Sequence, residues 1–199
     1  MDLALFDFDG TITTHEAMPA FVRATTSRPR LVAGYLLLWP MILGYKLGMV
    51  SGSRVRAAIV RVAYTGRPAA WLQARGADFA RDDLERHLRP EAMRRIEWHR
   101  ARGDAVLVVS GGLAEYLQPW ADAHGLEVAC SRLGRRGDRL TGRYEGAQCV
   151  GADKARRVAA RFDLTDFARI HAYGDTAEDE HLLAMATDRF YRTMPEPAA

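Results

Sequence analysis

Residues 3–11 read Leu3-Ala4-Leu5-Phe6-Asp7-Phe8-Asp9-Gly10-Thr11, four apolar residues running straight into a polar turn. A short, uninterrupted apolar run bounded by a turn is the pattern of a strand buried on both faces. The pattern recurs at Ala105-Val106-Leu107-Val108-Val109, which ends at Ser110-Gly111-Gly112 before a helical pattern from Leu113 to His124. Shorter versions lie at Glu127 to Cys130 and Arg169 to Tyr173, the latter ending at Gly174-Asp175 before a helical stretch from Glu178 to Met185. Strands alternating with helices predict an α/β fold, a three-layer Rossmann-like parallel sheet. In such sheets ligands bind beyond the carboxyl ends of the strands, which is where Asp7, Ser110 and Asp175 would gather.

Between the first two strands, from Thr14 to Arg89, only helix-like patterns occur. This predicts a helical cap at 14–89 inserted into a core made of 1–13 and 90–199. Arg136-Gly137-Asp138, between short extended runs within Ser131 to Glu145, predicts a hairpin turn. The arginines around it, Arg132, Arg135, Arg136, Arg139 and Arg143, read as a solvated face. Leu31 to Val50 is strongly apolar with one charge, Lys46, but Gly34, Pro40, Gly44 and Gly48 interrupt it, so it falls short of a membrane span. A proline inside a helix removes a hydrogen bond and crowds the preceding turn, which predicts two short helices bent near Pro40. Packing within the cap is the expected fate of their apolar faces, with membrane-surface or lipid contact as the alternative.

The chain has 199 residues, enough for one substantial core and an accessory lobe. Its formal charge of +3 comes from arginine and is too small to imply nucleic-acid binding. Cys130 and Cys149 form no ligand or disulfide pattern and read as reduced thiols. The start lacks the pattern of a secretory signal, which predicts cytoplasmic residence, with peripheral contact at the inner membrane as the variant. No long disordered tail is expected beyond the last residues after Met194. None of the six histidines shows ligand spacing, so none is assigned to a metal. Oligomeric state is not legible.

Side chains two apart on an extended strand point the same way, so Asp7 and Asp9 can face one pocket. One carboxylate can attack phosphorus while a second protonates the leaving oxygen and later activates water. Phosphoryl transfer also needs the equatorial oxygens held and their charge compensated. Ser110-Gly111-Gly112, read as opening a helix, offers amides for phosphate, and Lys154 offers a positive charge. Asp175 and Asp179, four apart near a helix start, can face one cation, and such a hard-oxygen environment suits magnesium.

These segments, in this order, resemble the haloacid dehalogenase superfamily, and the helical insertion between the first and second motifs resembles its phosphoserine-phosphatase-like branch. The resemblance implies an Mg2+-dependent phosphatase that hydrolyses a phosphate monoester through an aspartyl-phosphate. Asp7 would be the nucleophile and Asp9 the acid and base. Ser110, Gly111 and Lys154 would hold phosphate. Asp7, Asp175 and the main-chain carbonyl of Asp9 would bind the metal, and Asp179 would orient metal-bound water. Glu16 falls where phosphoserine phosphatases place a substrate-binding acid, whereas Thr176 and Glu178 stand where those enzymes carry Gly and Asn. The apolar stretch followed by Arg54 and Arg56 looks more like the bacterial phosphatidylglycerophosphate phosphatase of this branch. The expected partner is therefore a phosphorylated small molecule or lipid. The rival readings are a phosphotransferase or mutase and a non-catalytic phosphate-binding protein.

Overall fold

The computed structural model describes residues 1–196; the last three residues of the expected tail, 197–199, lie outside it. Its centre is β1 (Leu3–Phe6), all four residues buried. This strand is flanked by β2 (Ala105–Leu113) and β6 (Ile170–Gly174), and the sheet continues outward to β3 (Glu127–Ser131) and β7 (Asp188–Tyr191) in the order β3-β2-β1-β6-β7. All of these pairings are parallel. Helices α5 (Pro90–Ala101), α6 (Ala114–His124), α7 (Ala152–Ala159) and α8 (Glu180–Ala184) belong to the same half of the molecule. Alternation along β1 explains the layers, because Ala4 and Phe6 join one apolar cluster while Leu3 and Leu5 join the other.

Four of the five helices between β1 and β2 form an insertion ahead of α5: α1 (Ala17–Thr25), α2 (Arg28–Lys46), α3 (Gly52–Tyr64) and α4 (Ala69–Asp82), followed by a 3-10 turn at Leu84–His87. The two chain segments joining them to the sheet are tied together, since Thr14 N donates to His87 O at 2.9 Å and Arg89 N to Ile12 O at 2.7 Å. Near these ties His15, Asp83 and His87 bring ligand-type atoms within 4.8 Å of one another, a proximity hidden in a sequence where 15 and 87 are far apart. The predicted hairpin is β4 (Leu133–Arg136) with β5 (Arg139–Tyr144), and its arginines are exposed. It packs on the inserted helices, with Gly66 N donating to Leu140 O at 2.9 Å. Cys130 and Cys149 are buried free thiols.

Three expectations need correction. The strand at Ala105 does not end before the glycines; β2 runs on to Leu113, and its pairing with β3 shifts register between Ser110 and Leu113. Asp188–Tyr191, a half-exposed edge strand with no apolar run, was not foreseen. Finally, Leu31 to Val50 does not form two bent helices. A single 19-residue helix passes through Pro40. Pro40 lies on the exposed side, and the carbonyl deprived of its donor belongs to Leu36, which is itself 71 % exposed, so water can satisfy what the proline removed. Nor is the helix packed all round, as its only buried residues are Gly34 and Gly44. Among the described residues, no helix is long and apolar enough to cross a membrane.

Candidate active site

The carboxyl end of β1 delivers Asp7 to the bottom of a cleft. Its backbone N–H donates to Tyr173 O at 2.9 Å, extending the ladder with β6 by one residue, and its side chain is buried. Lys154, in the first turn of α7, is also buried and contacts the Asp7 carboxylate directly. Lys154 Nζ also donates to Asp179 Oδ1 at 2.5 Å. Asp7, Asp175 and Asp179 present carboxylate oxygens within 4.8 Å of one another. One ammonium therefore faces three carboxylates.

The electrostatics follow from that imbalance. Burial pushes Asp7 up from 3.8 to about 7; Lys154 opposes the rise, and the charges of Asp179 and Asp9 add to it. Burial also raises Asp175, with Asp179 reinforcing it. Burial disfavours the charge on Lys154, but Asp7 and Asp179 outweigh it and hold its pKa above the ordinary value. Burial acts against ionised Asp179 as well, yet Lys154 and the Thr176 donors keep it below 3.8. Three carboxylates crowded around one ammonium are a site prepared for a further cation.

Asp9 shares the cleft but not the cluster. Its Oδ1 accepts from Ala17 N at 2.7 Å, so the carboxylate sits at the amino end of α1. Burial raises it to about 6, the Ala17 amide lowers it, and Glu16 raises it. A carboxyl poised near neutrality is suited to give and take a proton.

Asp179 differs from its expected setting. No helix runs from Thr176; a 3-10 turn at Ala177–Asp179 precedes the short α8. Asp179 Oδ2 accepts from Asp175 N at 3.2 Å, Thr176 N at 3.0 Å and Thr176 Oγ1 at 2.9 Å. The residue thus braces the loop that presents Asp175, closing a capping box with Thr176. Thr11 Oγ1 donates to Asp175 Oδ1 at 3.3 Å, a support absent from the expected set.

Ser110, Gly111 and Gly112 do not open a helix, because α6 begins at Ala114. The two glycines fall between the pairs Ser110–Cys130 and Leu113–Ser131, outside the ladder, and both line the cleft. Buried Ser110 accepts from Gly112 N at 3.0 Å, which fixes the bulge. A Cβ on Gly111 would meet Val150 at 2.8 Å, and one on Gly112 would meet Leu117 at 2.7 Å, so the close path needs glycine.

Among the substrate candidates, Glu16 and Arg56 line the cleft and Arg54 does not. Arg56 Nη2 donates to Glu178 Oε1 at 2.7 Å and Oε2 at 3.0 Å, joining α3 to the loop after β6. The two residues are too far apart in sequence for their pairing to be read there. The cleft opens into a cavity of about 540 Å³ whose floor carries Asp7, Asp9 and Lys154 and whose walls are largely apolar side chains of α1, α2 and α3.

A family model for haloacid dehalogenase-like hydrolases matches residues 4–184, nearly the whole chain. The chain belongs to that family. Protein CicA of Caulobacter vibrioides is 30% identical over 192 residues, covering 96% of this chain and 85% of that one. A solved protein of unknown function from Bordetella pertussis Tohama I superposes with a TM-score of 0.78 at 24% identity, covering 94% of this chain and 87% of that chain. A phospho-aspartyl intermediate analogue of phosphoserine phosphatase superposes with a TM-score of 0.66 at 21% identity, covering 93% and 83%. These superpositions show the haloacid dehalogenase-like fold, an α/β sheet of the Rossmann-like type.

Proposed function

We propose that this haloacid dehalogenase-like hydrolase is a magnesium-dependent phosphatase that cleaves a phosphate monoester through an aspartyl-phosphate on Asp7, with residues 14–89 as its cap. The observation that carries this reading is the buried Asp7 carboxylate in contact with Lys154, facing Asp175 and Asp179 at the end of the central strand. Membership of a hydrolase family and likeness to phosphoserine phosphatases support the same reaction class.

The donor set fits magnesium. It is all oxygen, it exceeds the available positive charge, and a Cβ on Gly10 would come within 2.4 Å of Asp175 Oδ2, so the loop stays open only with glycine there. Asp7, Asp175 and the Asp9 carbonyl would hold the ion, which would offset the negative charge of phosphate and of the attacking carboxylate.

An Asp7 oxygen attacks phosphorus as the ester P–O bond breaks, and protonated Asp9 gives its proton to the departing oxygen. Asp9, now ionised, takes a proton from water; that oxygen attacks phosphorus, the bond to Asp7 breaks, and phosphate leaves. Lys154 and the Gly111 amide hold the equatorial oxygens, and Ser110, which accepts from Gly112 N, keeps the glycine bulge in place.

The largely apolar walls and the pairing of Arg56 with Glu178 count against phosphoserine, and Glu16, Arg23, Arg30 and Lys46, which also line the chamber, are the groups left to meet a charged amino-acid end. Phosphate release from an aryl phosphate, dependent on added magnesium and requiring no acceptor, tests the hydrolase reading against a phosphotransferase. Release only when a second hydroxyl compound is supplied would favour the transferase.

A further inference from the structure

Helix α2 is apolar on every side, yet half of it has no partner. Val32, Leu36, Trp39, Leu43 and Leu47 recur at i, i+4, i+7, i+11 and i+15, one stripe along the helix and its carboxyl cap, and are 59, 71, 59, 46 and 62 % exposed. A continuous exposed apolar stripe of this length marks a contact surface. The neighbouring side of the same helix supplies Leu31, Tyr35, Leu38 and Ile42 to the wall of the catalytic cavity, opposite Val55 and Ile59 of α3. Tyr35 and Tyr45 line the cavity and are also 58 and 51 % exposed, so the chamber opens beside the stripe.

Charge identifies the surface that covers it. From Ala17 to Ala77 the chain has nine basic residues and no acidic one. The remainder holds all 25 acidic residues against 19 of the 28 basic ones, so residues 17–77 carry +9 and the rest −6. Arg28 and Lys46 stand exposed at the two ends of α2, on the side of the stripe. A second copy seated on the same face would bring these cations against their own kind. An anionic bilayer surface satisfies both the stripe and its flanking charges. Since no described helix can cross a membrane, α2 would lie along the surface.

We propose, building on the phosphatase reading, that α2 seats the protein on an anionic membrane and that the cavity behind it admits the acyl chain of a phosphomonoester lipid, leaving its phosphate at Asp7. The apolar walls receive the chain, the polar floor receives the phosphate, and the mouth opens where such a molecule is embedded.

Two measurements decide the matter separately. Docking is read without catalysis, by co-sedimentation with phosphatidylcholine vesicles with and without phosphatidylserine. The protein should sediment with the anionic vesicles only, and the double variant Leu36→Glu/Trp39→Glu should bind at least about tenfold more weakly while hydrolysing a soluble aryl phosphate as before. Chain recognition is read by comparing phosphatidic acid in vesicles with glycerol 3-phosphate, and kcat/KM should favour the lipid by at least about tenfold. Leu38→Trp, which fills the cavity, should abolish that preference and leave vesicle binding intact. Equal sedimentation of wild type and the double variant, or none by either, overturns docking, as does a wild-type dimer that the double variant dissociates without any change in vesicle binding. Equal turnover of the two phosphates overturns the acyl site. Absence of any aryl phosphate hydrolysis would instead strike the phosphatase reading, and the vesicle experiment would still decide docking.

Discussion

Asp7→Asn should inactivate the protein and at the same time stabilise it. The substitution keeps shape and volume, and Lys154 retains Asp179 at 2.5 Å, so no buried cation is orphaned. Asp7 is 5 % exposed, and in the folded protein its pKa is raised from 3.8 to about 7. For an acid raised in this way, the folded state holds the proton more tightly than the unfolded state, so the penalty for ionisation grows from the unfolded value upward and is complete above the folded one. The gap between 3.8 and about 7 corresponds to roughly 4 kcal/mol at pH 8. The amide forfeits the ionic part of its contact with Lys154 and must satisfy its own buried donors, leaving a net gain of about 1–3 kcal/mol. For a chain of this size that is a rise in Tm of roughly 3–10 °C. Thermal unfolding in EDTA, followed at pH 8 and pH 4.5, is the assay. The variant should melt higher at pH 8, the difference should shrink toward pH 4.5, and magnesium should stabilise wild type alone. A variant less stable than wild type at pH 8, or a difference independent of pH, would refute the view that ionised Asp7 is held at a cost.

Asp9→Asn should lower turnover of alkyl phosphates by about 10²–10⁴-fold and of aryl phosphates by clearly less, because good leaving groups need no proton; equal losses would remove Asp9 as the acid. EDTA should abolish phosphate release, magnesium should restore it and calcium should restore it poorly, since calcium tolerates more ligands and looser geometry; full activity in chelator would contradict the assignment of Asp175. Gly76→Ala should destabilise the protein by about 2 kcal/mol or more, because the new Cβ would fall 1.8 Å from Glu115 O where α4 meets α6; an unchanged denaturation midpoint would show that the helices separate easily. Glu178→Gln should weaken the tie between α3 and the loop after β6, since Arg56 binds both Glu178 oxygens, and raise hydrogen exchange in α3; unchanged exchange would show that the tie restrains nothing.

The parts of this fold that could be read in the sequence are those whose physics is local. β1, β2, β3 and β6 are buried on both faces and therefore appear as apolar runs, and their carboxyl ends mark the positions of Asp7, Ser110 and Asp175. β7 escaped because an edge strand reading Asp188-Arg189-Phe190-Tyr191 needs no such run. The glycine bulge escaped because glycines carry no side-chain pattern, so a strand passing through them looks the same as a strand ending. Pro40 misled because its cost depends on whether water reaches the freed carbonyl, which only the position of α2 decides. The Arg56–Glu178 pair and the bracing of the Asp175 loop by Asp179 depend on tertiary approach. Periodicity marks α2 as apolar, but it cannot say which apolar side finds a partner.

The most direct test is to look for phosphate on Asp7. Wild-type protein with magnesium and an aryl phosphate would be quenched in acid at a series of early times and its peptides mapped by mass spectrometry. A phosphoryl group should appear on the peptide spanning residues 1–23, localise to Asp7, vanish on treatment with hydroxylamine and never form in Asp7→Asn. Steady turnover with no phosphorylated peptide at any time, or undiminished turnover in Asp7→Asn, would contradict nucleophilic attack by this carboxylate.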